Sequence, residues 1–358
     1  MGKYRSKRWL VLPFISIITF GLTQLAYRFP ALTEKWYSQN LYSLIARTIS
    51  NISSIVPFSI DDFFYFLLIL TSLILIILLI IRKISIIKAG KAAINIIAST
   101  YILFYFLWGF NYFREDLYQR LNLTQHEPNN KSFIEQLKKQ IENTNKSWCS
   151  YENWDIEQVD LNIEKSYKTL AQPLKIDYPA GKRRAKKITV SRFFAQAGIS
   201  GYYGPFFNEI HVNSYILPIE YPFVLAHEKA HQFGITSEAE ANFYAWLACT
   251  NSHSKQLQYS ANLHVLRYFL YQGYQLEEYP EIIVKLDTRV KKDLQAIREN
   301  WMNLRNERID AAASKVNDIY LKTNKIKNGI EEYHGVLKFV MDFTYDSEFQ
   351  KKYDLMRQ

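Results

Sequence analysis

His227, Glu228 and His231 spell a single H-E-x-x-H within "FVLAHEKAHQFGITSEAEANFYAWLAC", Phe223 to Cys249. Residues four apart share a face of a helix, so the two imidazoles can reach one ion, and zinc is the ion that such a pair serves. Glu228, adjacent to the first imidazole, then lies beside the ion without binding it. That is where a general base for an activated water has to be.

A pentapeptide this short can arise by chance, so the residues downstream of it carry weight. Gly234 can end the first helix in a left-handed turn, and Ser237 can cap a second helix starting at Glu238. On that helix Glu238, Ala241, Asn242 and Ala245 share a face at spacings i, i+3, i+4 and i+7. Glu238 is then the expected third ligand, with the fourth position left to water as in catalytic zinc sites. Asn242 is expected to accept the free ring N–H of one ligand histidine. Glu240 is the alternative ligand, but it stands about 200° around the helix from Glu238, so only one of the two can face the ion. Glu240 groups instead with Phe243, Tyr244 and Leu247 and could pair with a base. A metal-free charged hairpin is the competing reading. Against it, Val224, Ala226, Ala230 and Phe233 make the first helix largely buried, and buried histidines and a glutamate need partners. "HEKAHQFGITSEAEAN" is too polar to lie inside an apolar span, which argues against an intramembrane protease.

These residues resemble the gluzincin class of zinc metallopeptidases, whose pattern is H-E-x-x-H on one helix and E-x-x-x-D on the next. Here "EAEAN" places Asn242 where aspartate is usual, and the gap from His231 to Glu238 is short for that class. More closely, "GISGYYGPFFNEIHVN", "PFVLAHEKAHQFGITSEAEANFYAWLAC" and "KVNDIYLKTNKIKNGIEEYHGVL" look like a family of bacterial multi-pass membrane proteins known only as a domain of unknown function. The resemblance implies a membrane-anchored, gluzincin-like metal site and brings no substrate with it.

Further groups could complete such a site. In "NEIHVN", Glu209, His211 and Asn213 alternate with Ile210 and Val212, as in an edge strand that aligns a peptide through its backbone. His211 itself is expected to be exposed rather than a ligand. Peptide hydrolysis also needs an oxyanion donor, for which Tyr203, Tyr333 and His334 are candidates. The basic run "GKRRAKK" (181–187) reads as a solvated approach to a strand, with lipid headgroups or an anionic substrate as the alternative. Cys149 and Cys249 belong to no C-x-x-C pair, and a two-cysteine zinc site is not expected.

The elements that must position these residues begin with three runs of 19 residues lacking any acid or base: about 9–27, 63–81 and 92–110. Each is long enough to cross a hydrocarbon core of roughly 30 Å as a helix. "MGKYRSKR" would suit a signal peptide, but no cleavage-type segment comes after it, so the first run is expected to be retained. The chain then divides into a membrane domain, 1–113, and a second domain, 114–358, expected to be mainly α-helical and zincin-like with a small β element. "NKSFIEQLKKQIENTNK" and "LNIEKSYKTL" have helical spacing, "KKITVSRFF" alternates as a strand, "AGISGYYGPF" is a glycine-rich turn, and the region after Pro222 is helical with breaks near Gly234, Asn251, Gly273 and Gly329.

Of the net charge of +10, Lys3, Arg5, Lys7 and Arg8 before the first run and Arg82, Lys83, Lys88 and Lys91 between the second and third carry +8. Residues 114–358 are nearly neutral, with 33 bases against 31 acids. The basic balance is therefore a topology signal and not that of a nucleic-acid binder. It puts the N-terminus in the cytoplasm and the second domain outside, and the resemblance implies that the membrane is a bacterial inner membrane. The expected function is a zinc-dependent hydrolase, a metallopeptidase acting on peptide, protein or cell-wall peptide. A membrane-anchored binding or scaffold protein, with a structural metal or none, is the alternative. Alkaline phosphatase fused after residue 120 should be active and a fusion near residue 87 inactive; the reverse pattern would place the H-E-x-x-H in the cytoplasm.

Overall fold

A computed structural model of the protein describes residues 7–127, 129–151, 154–178, 183–326, 335–347 and 350–351. It is mainly helical, at 72% helix and 3% strand. The chain divides into two units, Met1–Glu115 with Pro179–Arg183 and Gly204–Glu209, and Asp116–Tyr178 with Arg184–Tyr203 and Ile210–Gln358. Among the described residues the helices of ten or more residues are α1 (Val11–Arg28), α2 (Tyr42–Ser53), α3 (Ile60–Ile80), α4 (Ile86–Leu107), α5 (Asn130–Ser147), α6 (Ile156–Leu170), α7 (Tyr221–Gln232), α8 (Glu238–Asn251), α9 (Lys255–Gly273), α10 (Thr288–Leu304), α11 (Glu307–Thr323) and α12 (Val336–Tyr345).

In the first unit, α1 with the turn before it, α3 and α4 are long and apolar enough to cross a membrane. Their outer faces carry exposed Phe14, Ile17, Ile69, Ile80 and Ile97, the pattern of helices solvated by lipid. The boundaries shift from the apolar runs because capping, not hydropathy, starts a helix. Ser59 accepts the Asp62 N–H and starts α3 at Ile60, and Ser85 accepts the Lys88 N–H and starts α4 at Ile86. α4 ends at Leu107, and just beyond it Gly109 lies so close to the Phe104 and Tyr105 rings that a Cβ would meet them within 3 Å.

The second unit is organised around α8, which is buried on every side. Ala239, Ala241, Phe243, Tyr244, Ala245, Leu247, Ala248 and Cys249 on it are all core residues, so the helix needs no polar face. α7, α6, α9 and α12 pack on it, and α5 packs on α9. Cys149 and Cys249 are free thiols. A carboxylate on so buried a helix needs a partner, and Glu240 has one: Arg120, itself almost inaccessible, reaches Glu240 Oε2 at 2.5 Å.

Three short strands, β1 (Lys186–Lys187), β2 (Gly201–Gly204) and β3 (Glu209–Val212), form a sheet of order β1-β3-β2. β1 runs parallel to β3, with Lys186 opposite His211 and Lys187 opposite Val212. The sheet overturns two expectations. The alternating "KKITVSRFF" keeps only two residues in the strand and becomes a short helix at Ser191–Gln196, while the glycine-rich "turn" contains β2. Asn213 holds the chain beyond the strand ends: its N–H bonds Ser200 O and its side chain donates to Ser191 O, at the start of the short helix, and to Ile199 O. The basic run is likewise less solvated than expected, with Arg183 and Lys186 buried and Arg184 paired to Glu157 at 2.5 Å.

Removing one member of a buried ion pair strands the other in low dielectric. Arg120→Ala should cost about 3–5 kcal/mol, seen as a lower melting temperature of the detergent-solubilised protein; an unchanged midpoint would show that the pair contributes nothing to this core.

Candidate metal centre

α7 opens with Pro222 in its first turn, where the missing N–H has no intrahelical partner to lose. It is held from behind by α6. Tyr167 donates to Ala226 O at 2.7 Å, and the fully buried Lys229 meets Asp160 at 2.9 Å and Glu164 at 2.5 Å. Lys229 is about 200° around the helix from His227, so this ion cluster fixes α7 while the histidines face the other way.

The helix ends in a Schellman reversal. Gly234, at φ +80°, donates to His231 O, and the Ile235 N–H reaches Ala230 O. The turn does two things at once. It lays the Ile235 carbonyl against His231, whose Nδ1 donates to it at 2.7 Å, and it sends the chain directly into α8, whose Ser237 cap accepts the Glu240 N–H.

The first residue of α8, Glu238, consequently meets both histidines. Its Oε2 is 3.1 Å from His227 Nε2 and 3.5 Å from His231 Nε2, and the two Nε2 atoms are 3.1 Å apart. Among the described residues this is the one group of three side chains with metal-ligating spacing. Two ligands at about 2.05 Å from a tetrahedral zinc lie roughly 3.3 Å from each other, so the donor set fits the ion. With Nδ1 of His231 protonated by its bond to Ile235, its Nε2 lone pair points at the cluster.

The charges are strongly coupled. Burial alone would raise Glu238, but His231 and His227 hold it well below the usual carboxylate range. Burial would lower His231, yet the charge and hydrogen bond of Glu238 raise it to about 9. A cation that replaces the shared proton inherits this attraction. Burial pushes Glu228 up to about 7, the two imidazoles pulling it down and Glu238 adding to the rise. A carboxylate titrating near neutrality is suited to taking and returning a proton.

Glu228 also explains a glycine. A Cβ on Gly201 would stand 2.8 Å from Glu228 Oε1 and 2.8 Å from His211 O. β2 thus passes directly over the carboxylate, and Tyr203, two residues on, shares that face of the strand.

The other expected site residues are distributed differently from their sequence reading. β3 is the central strand, not an edge, because β1 and β2 flank it, so Ile210 and Val212 are core residues and offer no free backbone for a peptide. Glu209 caps α3 instead, accepting the N–H groups of Ile60 at 2.9 Å and Asp61 at 3.0 Å. His211, expected at the surface, is fully buried and stacked on Tyr202 at 4.3 Å. Asn213 ties the β3 end to Ser191, Ile199 and Ser200. Asn242 is not at a histidine ring. Ile235 takes the place expected for it, Asn242 lies beside Tyr268, and the buried His227 Nδ1 has no hydrogen-bond partner among the described residues. Glu240 is with Arg120. Tyr333 and His334 lie outside the described residues.

The family described as "Protein of unknown function (DUF3810)" matches residues 37–341. The chain belongs to this family. No curated protein and no solved structure matches it.

Two site residues were missed in the sequence. His264 and Tyr268 on α9, four apart and so on one face, flank the triad. His264 stacks on Phe223 at 3.7 Å, one turn before His227. Burial, Arg267 and His227 hold it well below the usual range and hence neutral. Burial raises the Tyr268 phenol, Arg267 opposes that, and Glu238 adds to it. The signal was the H-x-x-x-Y spacing in "NLHVLRYF", hidden by the 26 tyrosines of the chain.

If Glu238 is the ligand, Glu238→Ala should weaken zinc retention against a chelator by more than the ~10–100-fold that loss of a ligand's partner costs. Glu240→Ala should lower thermal stability and leave retention intact; the opposite order would reassign the ligand.

Proposed function

We propose that this protein is a membrane-anchored zinc-dependent hydrolase, a metallopeptidase of a bacterial inner membrane whose second unit lies outside the cytoplasm. The observation that carries the reading is the meeting of His227, His231 and Glu238 from two helices with the buried Glu228 beside them. His227, His231 and Glu238 would hold the ion. Zinc supplies Lewis acidity there, acidifying water and polarising a carbonyl.

The chain's own residues supply the rest. Glu228 takes a proton from water at its carboxylate and passes it to the leaving amine, a transfer matched to its titration near neutrality. β2 is the edge strand of the sheet beside Glu228, so Gly201 to Tyr203 is the segment that aligns a peptide backbone, in the place first assigned to β3. Neutral His264 and the Tyr268 phenol, on the α9 face toward the triad, donate hydrogen bonds to the oxyanion. The absence of side-chain bulk at Gly201 leaves Glu228 its room.

Metal analysis of the full chain should find one zinc in the wild type and a loss of it in His227→Ala. Glu228→Gln should reduce peptide hydrolysis by roughly 10² or more while zinc stays bound. Hydrolysis undiminished in Glu228→Gln would remove Glu228 as the base, and a wild type that holds no zinc, hydrolyses no peptide and keeps its cellular function in Glu228→Gln would make the protein a scaffold rather than an enzyme.

A further inference from the structure

The segment between the first two spans is built inside out. From Thr33 to Leu41 it is a π-helix, which continues into α2. Thr33, Glu34, Tyr37 and Ser38 turn inward, while Lys35, Gln39 and Asn40 are exposed. Glu34 receives Arg114 through two bonds of 2.7 Å, the Tyr37 hydroxyl donates to Phe106 O at 3.0 Å, and Thr33 donates to Ala26 O at 3.1 Å. On α2 the buried positions are Tyr42, Ser43, Ala46, Ser50 and Ser53.

The large apolar side chains point out. Leu44 is 61% exposed, Ile52 59%, Ile55 80% and Trp36 65%, joined by Leu41 and Phe58. At 100° per residue, Leu41, Leu44, Thr48, Ile52 and Ile55 fall within one stripe about 80° wide. It is roughly opposite the stripe of Ser43, Ala46, Ser50 and Ser53. Thr48, the polar member, donates to Leu44 O at 2.8 Å and so presents its methyl outward. The remaining exposed residues from 40 to 55, Asn40, Arg47, Asn51 and Ser54, form a polar stripe between the other two.

In water this arrangement would expose a contiguous apolar band while burying serines. The segment is also tied by both ends to apolar spans, α1 ending at Arg28 and α3 starting at Ile60, so it lies at a membrane face. We propose that α2 is an interfacial helix whose Leu41–Leu44–Ile52–Ile55 stripe is buried in the acyl chains of the bilayer, with Asn40, Asn51 and Ser54 toward the headgroups. The lipid boundary of the protein is then four helices and not three. Trp36, with Lys35 against its ring at 5.5 Å, is at the level where an amphipathic aromatic residue is favoured. The binding mode is that of a helix lying in the interface plane, with its apolar face at the headgroup and acyl boundary. This rests on α1, α3 and α4 crossing the membrane, and the test separates the two claims.

The experiment uses the full chain in nanodiscs, with Cys149→Ser and Cys249→Ala, and single cysteines at Leu44, Ile52, Ile55, Asn51, Ser54 and, as a span control, Ile69. Each carries a bimane label. Doxyl-labelled lipid should quench the label at positions 44, 52 and 55 several-fold more than at 51 and 54, and a water-soluble quencher should show the reverse order. Quenching at position 69 by lipid with none at 44, 52 and 55 would overturn the proposal alone. Protection of 44, 52 and 55 from both quenchers would also overturn it, since a protein surface would then cover the stripe. No lipid quenching at 69 would overturn the membrane assignment on which it rests.

Discussion

Six residues separate His231 from Glu238, and the whole candidate centre depends on how the chain turns within them. Only a left-handed residue can close the Schellman reversal without a steric penalty, and Gly234 supplies it. The same turn that ends α7 orients His231 through the Ile235 carbonyl and delivers Glu238 at the start of α8. A longer connection would give α8 freedom to slide along α7. With this one, three donors converge because two helices have one way to pack.

The surroundings of the turn hold that geometry under strong local charge. α8 is almost entirely apolar and small-to-aromatic, so it packs at the centre and its two acidic residues must each be answered. Glu238 is answered by imidazoles and Glu240 by Arg120. Behind α7, the buried Lys229 with Asp160 and Glu164 does the same for the opposite face. Buried ion groups of this kind add little net stability but are costly to leave half-made, which restricts the register in which α6, α7 and α8 can fit. The proposed chemistry is a product of this arrangement: a base with little water around it, over which the glycine of an edge strand passes.

The first unit obeys the same accounting in a different solvent. Helix starts at the spans are capped by Ser59 and by Glu209, whose carboxylate takes the first amides of α3. Asp61 in turn accepts the N–H groups of Phe206 and Phe207, and Gly204 leaves it room. Where backbone donors cannot be left to lipid, side chains that look like solvent-exposed acids in the sequence become acceptors.

Local pattern decided what could be read from the sequence. Three apolar runs, an i, i+4 pair of histidines, a glycine stop and a serine cap are each written within a few residues, so the spans, the two helices and the choice of Glu238 over Glu240 for the face with the alanines were legible. Strand order was not, because which of β1, β2 and β3 lies at the edge depends on pairing between segments far apart in the chain; "NEIHVN" alternates equally well in a central strand. Burial of His211 came with that order. The partner of Glu240 is 120 residues away in Arg120, and the flanking His264 and Tyr268 come from a third helix, so no spacing near the motif announces them. Amphipathic spacing in α2 likewise marks two faces without saying which one is inside. Tertiary contacts alone, turning serines and tyrosine inward, decided that Leu44 and Ile52 face out.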